Sequence, residues 1–152
     1  MAALENDLAL SFLAIGNLAR ANELAAHARG RYERAADEFW LAHVTETQAR
    51  IALAEGLAEK ALHLAEVAIA HAEGSHNSKA LLAALLGKAQ AHLALDDPAA
   101  ASACYERAAG LARSAPGTAR VREVLSEWAD FLARQGHHQR AYELTREALG
   151  SA

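Results

Sequence analysis

The chain has 152 residues, of which 41 are Ala and 22 are Leu, whereas Val, Ile and Thr together number only 11. Ala and Leu favour helices and β-branched residues favour strands, so this composition excludes a mainly sheet-based fold. The formal net charge is −4, the pI is about 6.0, and no Lys/Arg cluster is present. These values argue against direct nucleic-acid binding, for which a basic stripe is typical.

The N-terminal segment and the cysteine content bear on localisation. Residues 1–7 include Glu5 and Asp7 but no basic residue, which is unlike a secretory signal peptide. The uncharged stretch 8–19 is shorter than the roughly 20 apolar residues that a membrane-spanning helix needs. Cys104 is the single cysteine, so no internal disulfide can form. We therefore predict a cytoplasmic protein without a membrane partner.

Helical segments and turn signals alternate along the chain. The predicted helices are 3–15, 17–29, 31–43, 46–55, 57–73, 79–95, 98–113, 119–135 and 138–149. Thr45 and Gln48 have the spacing of a capping box, which predicts that a helix begins there. Asp97 and Pro98 suit a helix start, as N-cap and first helical residue. The Gly-, Ser- and Pro-containing segments 74–78 and 114–118 are predicted loops.

A 40-residue spacing relates these elements to one another. The units of this frame are 2–41, 42–81, 82–121 and 122–152. Three columns of the frame hold only Ala: Ala9, Ala49, Ala89 and Ala129; Ala21, Ala61, Ala101 and Ala141; Ala28, Ala68, Ala108 and Ala148. A fourth column holds the turn formers Gly16, Gly56, Asp96 and Gly136. We expect one helical hairpin per unit, with Ala where helices cross, because small side chains let helix axes approach to about 8 Å.

The first unit departs from this frame. The frame expects a loop at residues 34–38, but the residues there read as a helix. Residues 30–35 instead resemble the start of another second helix. The first unit is therefore either degenerate or carries an extra helix.

Several segments share a recurring pattern of small and aromatic residues. They are Gly30, Tyr32 and Ala35 with Phe39 and Ala42; Ala101 with Tyr105 and Ala108; and Trp128-Ala129 with Leu132, Gly136, Ala141 and Ala148. This pattern resembles the tetratricopeptide repeat (TPR) family, whose unit is a helix–turn–helix. The resemblance spans residues 30–149 and implies an all-α fold. That fold would be a right-handed α-solenoid of about four antiparallel hairpins, forming a single domain over 1–152.

Some positions depart from the TPR pattern. Gln48 and Lys88 are polar where the family prefers Leu, and Ala65 and Thr145 replace the aromatic residue of the second helix.

Residues 122–149 also resemble the C-terminal TPR repeats of bacterial helix-turn-helix transcriptional regulators. In those proteins the TPR half senses a peptide or a partner, or dimerises.

The resemblance also implies a binding surface, because the first helices of a TPR solenoid line its concave face. The residues that it places there are His43, Glu46, Thr47, Arg50, Leu86, Gln90, Leu93, Glu123, Glu127, Asp130 and Arg134. We predict a non-catalytic module that binds a protein or peptide, without a cofactor, as the regulatory part of a bacterial regulator. The alternative is homodimerisation or scaffolding through apolar residues at the solenoid ends, such as Trp40 or Leu149.

Catalytic and metal-binding patterns are weak in this sequence. Glu73 and His76 have the Glu-x-x-His spacing of di-iron bundles, but such a site needs that spacing twice and on helix interiors. A helical-bundle metalloprotein is therefore the less favoured third hypothesis. No phosphate-binding Gly-rich loop or nucleophile elbow occurs, so we predict no enzyme. Cys104, in a column that otherwise holds Leu, is predicted to be a buried, unreactive thiol.

Overall fold

The computed structural model describes residues 1–114 and 118–150. In these residues the chain forms eight α-helices and no strand. The helices are α1 (Ala2–Ala14), α2 (Leu18–Ala35), α3 (Glu38–Ala54), α4 (Ala58–Gly74), α5 (Ser78–Ala94), α6 (Pro98–Ser114), α7 (Thr118–Arg134) and α8 (His138–Gly150). The loop predicted at 114–118 lies mostly outside the described residues.

The helices pair as four hairpins, α1–α2, α3–α4, α5–α6 and α7–α8, and each hairpin packs against the next one. Equivalent helices of successive hairpins begin 40 residues apart, as the frame predicts. The second helices of the hairpins begin at Leu18, Ala58, Pro98 and His138. This arrangement confirms the predicted α-solenoid. None of the helices described here is long and apolar enough to span a lipid bilayer.

The turn inside each hairpin uses a residue with a left-handed backbone. Gly16, Gly56 and Gly136 have φ angles of 79°, 77° and 82°, and Asp96 has a φ of 59°. Gly adopts this conformation without steric cost, and Asp tolerates it better than most residues. The column of turn formers in the sequence therefore marks the four hairpin turns.

The helix breaks predicted at residue 30 and between residues 43 and 46 are both wrong, and α2 runs through residue 30 from Leu18 to Ala35. Helix α3 runs without interruption from Glu38 to Ala54, and Thr45 is fully buried within it. The chain turns earlier, at Ala36, which has a φ of 51°, and the Asp37 side chain accepts a hydrogen bond from the Trp40 amide. The turn thus lies where the 40-residue frame expects a loop. The local sequence does not indicate it, because the neighbouring residues favour helices. The first hairpin keeps the register of the others, and no extra helix occurs in residues 1–54.

The three Ala columns form the contacts between helices. Each of their twelve members is at most 7% exposed. The column of Leu24, Leu64, Cys104 and Leu144 is buried beside them. The position predicted for Cys104 is therefore confirmed, and burial raises the pKa of its thiol.

Candidate functional site

One cleft receives residues from the first helix of all four hairpins. Its volume is about 360 Å³, and it is lined from α1, α3, α5 and α7. The lining residues are Asn6, Asp7, Leu10, Trp40, His43, Glu46, Arg50, Lys79, Ala83 and Arg120. Because only the inner face of a solenoid brings all its first helices together, this cleft lies on the concave side. We call it the first cleft.

A second cleft of about 450 Å³ lies towards the C-terminal end of the same face. It is lined by Gln90, Leu93, Tyr105, Glu127, Asp130, Phe131, Arg134 and Gln135. These residues come from α5, α6, α7 and the turn after α7. We call the two clefts together the groove.

Most of the residues predicted for the concave face line the groove. His43, Glu46 and Arg50 line the first cleft. The second cleft contains Gln90, Leu93, Glu127, Asp130 and Arg134. The structure therefore brings the predicted residues together in two groups rather than in one continuous patch.

Three predicted residues lie elsewhere. Thr47 is 1% exposed, and its hydroxyl donates to the His43 carbonyl of the same helix, so it cannot reach a partner. Leu86 is half-buried and packs against the hydrophobic core. Glu123 is exposed on α7 but lies outside both clefts.

Several residues that line the first cleft are not among the residues predicted for the concave face. Asn6 and Leu10 occupy the same columns as Glu46 and Arg50, and this periodicity would have indicated them had the first unit been treated as regular. Lys79 and Arg120 come from the first turns of α5 and α7, which the assumed units assigned to the preceding hairpins. If each 40-residue unit began four residues earlier, Lys79 and Arg120 would belong to the first helices of the third and fourth units.

Among its described lining residues, the first cleft contains more cations than accessible acids. Lys79 and Arg120 form no ion pair with any described residue. Arg50 Nε lies 3.9 Å from Glu46 Oε1, and the Glu46 side chain is 13% exposed. Burial raises the pKa of the Glu46 carboxyl, and the positive charge of Arg50 opposes this shift. The accessible charge of the cleft is therefore mainly positive, with Asp7 as the exposed acid.

One aromatic side chain, Trp40, lines the first cleft, and two further aromatic rings pack against it. Trp40 stacks on Tyr32 with ring centres 5.8 Å apart and an interplanar angle of 9°. Phe39 packs edge-on against Trp40. Trp40 and Phe39 are 37% and 45% exposed, respectively. A large apolar surface thus stays accessible beside the charged residues.

Hydrogen bonds between hairpins organise the second cleft. The Glu127 carboxylate accepts from Gln90 Nε2 at 3.0 Å and from the Tyr105 hydroxyl at 3.2 Å. Burial and the neighbouring negative charge of Glu127 raise the pKa of Tyr105, so its hydroxyl remains a donor. Tyr105 also stacks on Phe131. Asp130 is exposed at the edge of this network.

A buried amide connects the second and third hairpins next to the first cleft. Asn77 is 4% exposed, and its Nδ2 donates to the Phe39 carbonyl at 3.2 Å and to His43 Nε2 at 3.0 Å. Its Oδ1 accepts from the Ala80 amide and caps α5. His43 Nε2 must therefore be an unprotonated acceptor. Burial and nearby Lys79 lower the pKa of His43, which favours this neutral form.

This arrangement predicts a loss of stability in mild acid. The unfolded chain binds a proton at His43 near the ordinary pKa of about 6.5, whereas the folded chain resists it. The contribution of neutral His43 to the free energy of unfolding is therefore complete above that pH. It decreases as the pH falls towards the lower pKa that His43 has in the folded chain. His43→Gln should therefore show a flatter decrease in unfolding free energy between pH 7 and pH 5, measured by urea denaturation. His63→Gln, at an exposed position of α4, should retain the wild-type slope.

Metal ligation finds no support in the part of the chain that is described. No three His, Cys, Asp or Glu side chains group together there in a way that could hold an ion. Glu73 pairs with Arg107 of α6, and His76 lies in a left-handed turn with a φ of 53°. The Glu-x-x-His spacing therefore does not place its two side chains on one helix face.

Comparison with known proteins identifies the architecture. No protein-family model and no curated protein matches the sequence. A crystal structure of nearly identical TPR-like repeats, assigned to a kinesin light chain of Podosopora anserina, superimposes with a TM-score of 0.76. The match covers 99% of this chain and 74% of that chain, at 20% identity. The fold is a TPR-like α-solenoid. At this identity the likeness concerns the fold alone.

Proposed function

We propose that this TPR-like chain is a non-catalytic module that binds a protein or peptide segment in the groove. The observation that carries the proposal is the first cleft, to which all four first helices contribute. A site shared by four successive hairpins suits an elongated ligand better than a compact metabolite. TPR-like folds commonly mediate protein–protein interaction, which agrees with this geometry.

The chemistry of the groove favours a peptide that has both polar and apolar side chains. Trp40 offers an apolar surface, and Lys79 and Arg120 offer cations that pair with no acid in the described part of the chain. The second cleft instead presents Asp130 and Arg134 around a fixed Tyr105–Glu127 pair. Complementary charges on a partner would determine its orientation and register along the groove.

We place this module in a cytoplasmic bacterial regulator. The support is the resemblance of residues 122–149 to the C-terminal repeats of helix-turn-helix transcriptional regulators. In that role the module binds its partner and does not contact DNA itself, in keeping with its net charge of −4. A helix-turn-helix segment encoded in the same reading frame would support this assignment, and fusion to an unrelated domain would reject it.

The binding proposal can be tested without knowing the natural partner. Peptides selected from a random 12-residue display library on the folded chain would be measured by isothermal titration calorimetry. The double variant Arg50→Ala/Gln90→Ala removes one side chain from each cleft. We expect it to weaken binding at least about tenfold, which corresponds to ~1.4 kcal/mol.

A matched control uses exposed residues of the second helices. His63→Ala/Glu106→Ala, on α4 and α6, should leave the affinity within about twofold of wild type. Equal affinities for wild type and the groove variant would show that the peptides bind elsewhere. Weakening by the control alone would place the binding surface on the convex side.

A further inference from the structure

The N-terminal end of the solenoid exposes an apolar face that later hairpins bury. Met1, Leu4 and Leu8 of this end are 84%, 58% and 41% exposed. The three residues that follow Leu4 in its 40-residue column, Val44, Ala84 and Val124, are each at most 1% exposed. In those hairpins the same face packs against the preceding hairpin. We call the Met1, Leu4 and Leu8 surface the α1 face.

The C-terminal end exposes the complementary surface. Leu149 is 69% exposed, whereas Ile69 and Ala109 of the same column are 8% and 0% exposed. Thr145 is also exposed, whereas Ala25, Ala65 and Tyr105 of its column are buried. Each of these equivalents packs beneath the following hairpin. We call the Thr145 and Leu149 surface the α8 face.

The 40-residue register shows which residues would meet if the two faces joined. Between the first two hairpins, Arg29 Nη1 donates to Gln48 Oε1 at 3.0 Å. The equivalent positions at the junction of two chains are Leu149 of one copy and Leu8 of the next. A polar contact inside the chain is thus replaced by two exposed leucines that would bury each other.

A second internal contact is not reproduced at the junction. Between the third and fourth hairpins, the Tyr105 hydroxyl donates to Glu127 at 3.2 Å. The equivalent pair is Thr145 of one copy and Asp7 of the next, whose side chains are shorter, and the Thr145 hydroxyl donates to the Ala141 carbonyl of its own helix at 2.9 Å. The Gln90–Glu127 bond has a less favourable equivalent, because it brings Asp130 towards Asp7. This repulsion between acids would keep the association weak and make added salt strengthen it.

We propose that the α1 face binds the α8 face of a second copy of this chain, head to tail. The junction continues the packing that the chain already forms between its own hairpins. A heterologous contact of this kind does not close on itself unless its rotation forms a ring, so assemblies grow with concentration. Leu8 and Leu149 line neither cleft, whereas Asp7 and Asp130 line the first and the second cleft, so the apolar centre of the contact lies beside the groove and its acidic edge adjoins it.

Sedimentation velocity on the full chain tests this proposal at concentrations up to about millimolar, where weak association becomes visible. The wild-type mass should increase with concentration and with added salt. Leu8→Glu and Leu149→Glu should each be monomeric, because each loses one face. An equimolar mixture of the two variants should form a dimer and nothing larger, since each variant keeps the face that the other lacks.

Control variants distinguish a specific contact between the two faces from a general effect of an added glutamate. Leu57→Glu, at an exposed position outside both faces, should assemble like wild type, and circular dichroism should show that all variants are folded. If a glutamate variant does not fold, disulfide trapping between Leu8→Cys and Leu149→Cys chains replaces it, because Cys104 is buried. A wild-type monomer at every concentration overturns the proposal. Dimerisation of Leu149→Glu by itself also overturns it, because that result requires α1 faces to pair with each other.

Discussion

Replacing Ala68 by Leu is expected to lower the free energy of unfolding by about 1–3 kcal/mol. Ala68 is fully buried on α4 and belongs to the core cluster that includes Leu85 and Cys104. Three additional carbon atoms cannot fit at a helix contact packed to crystal-like density without moving the helices apart. Each kcal/mol should lower the melting temperature by about 2–4 °C for a chain of this size.

The neighbouring residue Ala70 supplies the control for this experiment. It lies two positions further along α4 and is exposed. Ala and Leu both favour helices, so Ala70→Leu should change the unfolding free energy by less than about 0.5 kcal/mol. Urea denaturation of both variants measures the difference. Equal effects at the two positions would show that the Ala columns reflect helix propensity rather than close helix contact.

Replacing Asn77 by Ala is expected to cost about 2–4 kcal/mol of unfolding free energy, the sum of a lost cap and lost buried hydrogen bonds. Loss of the α5 cap accounts for about 1 kcal/mol. Loss of the Nδ2 donor removes two part-buried hydrogen bonds, to the Phe39 carbonyl and to His43 Nε2, which adds about 1–3 kcal/mol at roughly 0.5–1.5 kcal/mol each. The effect is large because one buried side chain connects two hairpins.

Asn17 offers a matched cap without the inter-hairpin contact. It is exposed, and its Oδ1 accepts from the Arg20 amide at the start of α2. Asn17→Ala should therefore cost only the cap, about 1 kcal/mol. The difference between the two variants, measured by thermal and urea denaturation, gives the contribution of the contact between hairpins. If both variants lose the same amount, Asn77 acts as a cap alone.

The sequence predicted the turns within the hairpins well and the bounds of α2 and α3 poorly. The turn at Gly56 was clear because Gly marks a left-handed backbone. The turn at Ala36 was missed because Ala normally favours helices, and only the cap at Asp37 indicated it. At Thr45 a capping-box pattern pointed to a helix start within α3. Local signals fail at such positions because packing against neighbouring hairpins outweighs them.

Sequence by itself determined the helical class and the 40-residue register, through the Ala columns and the turn residues. These features are periodic, so they can be recognised in a single sequence when its tertiary contacts are unknown. Only the tertiary structure decided which side chains meet: Asn77 with His43, and Lys79 and Arg120 in one cleft with Arg50. Such contacts join residues on different hairpins, and their geometry depends on how successive hairpins pack rather than on any local pattern.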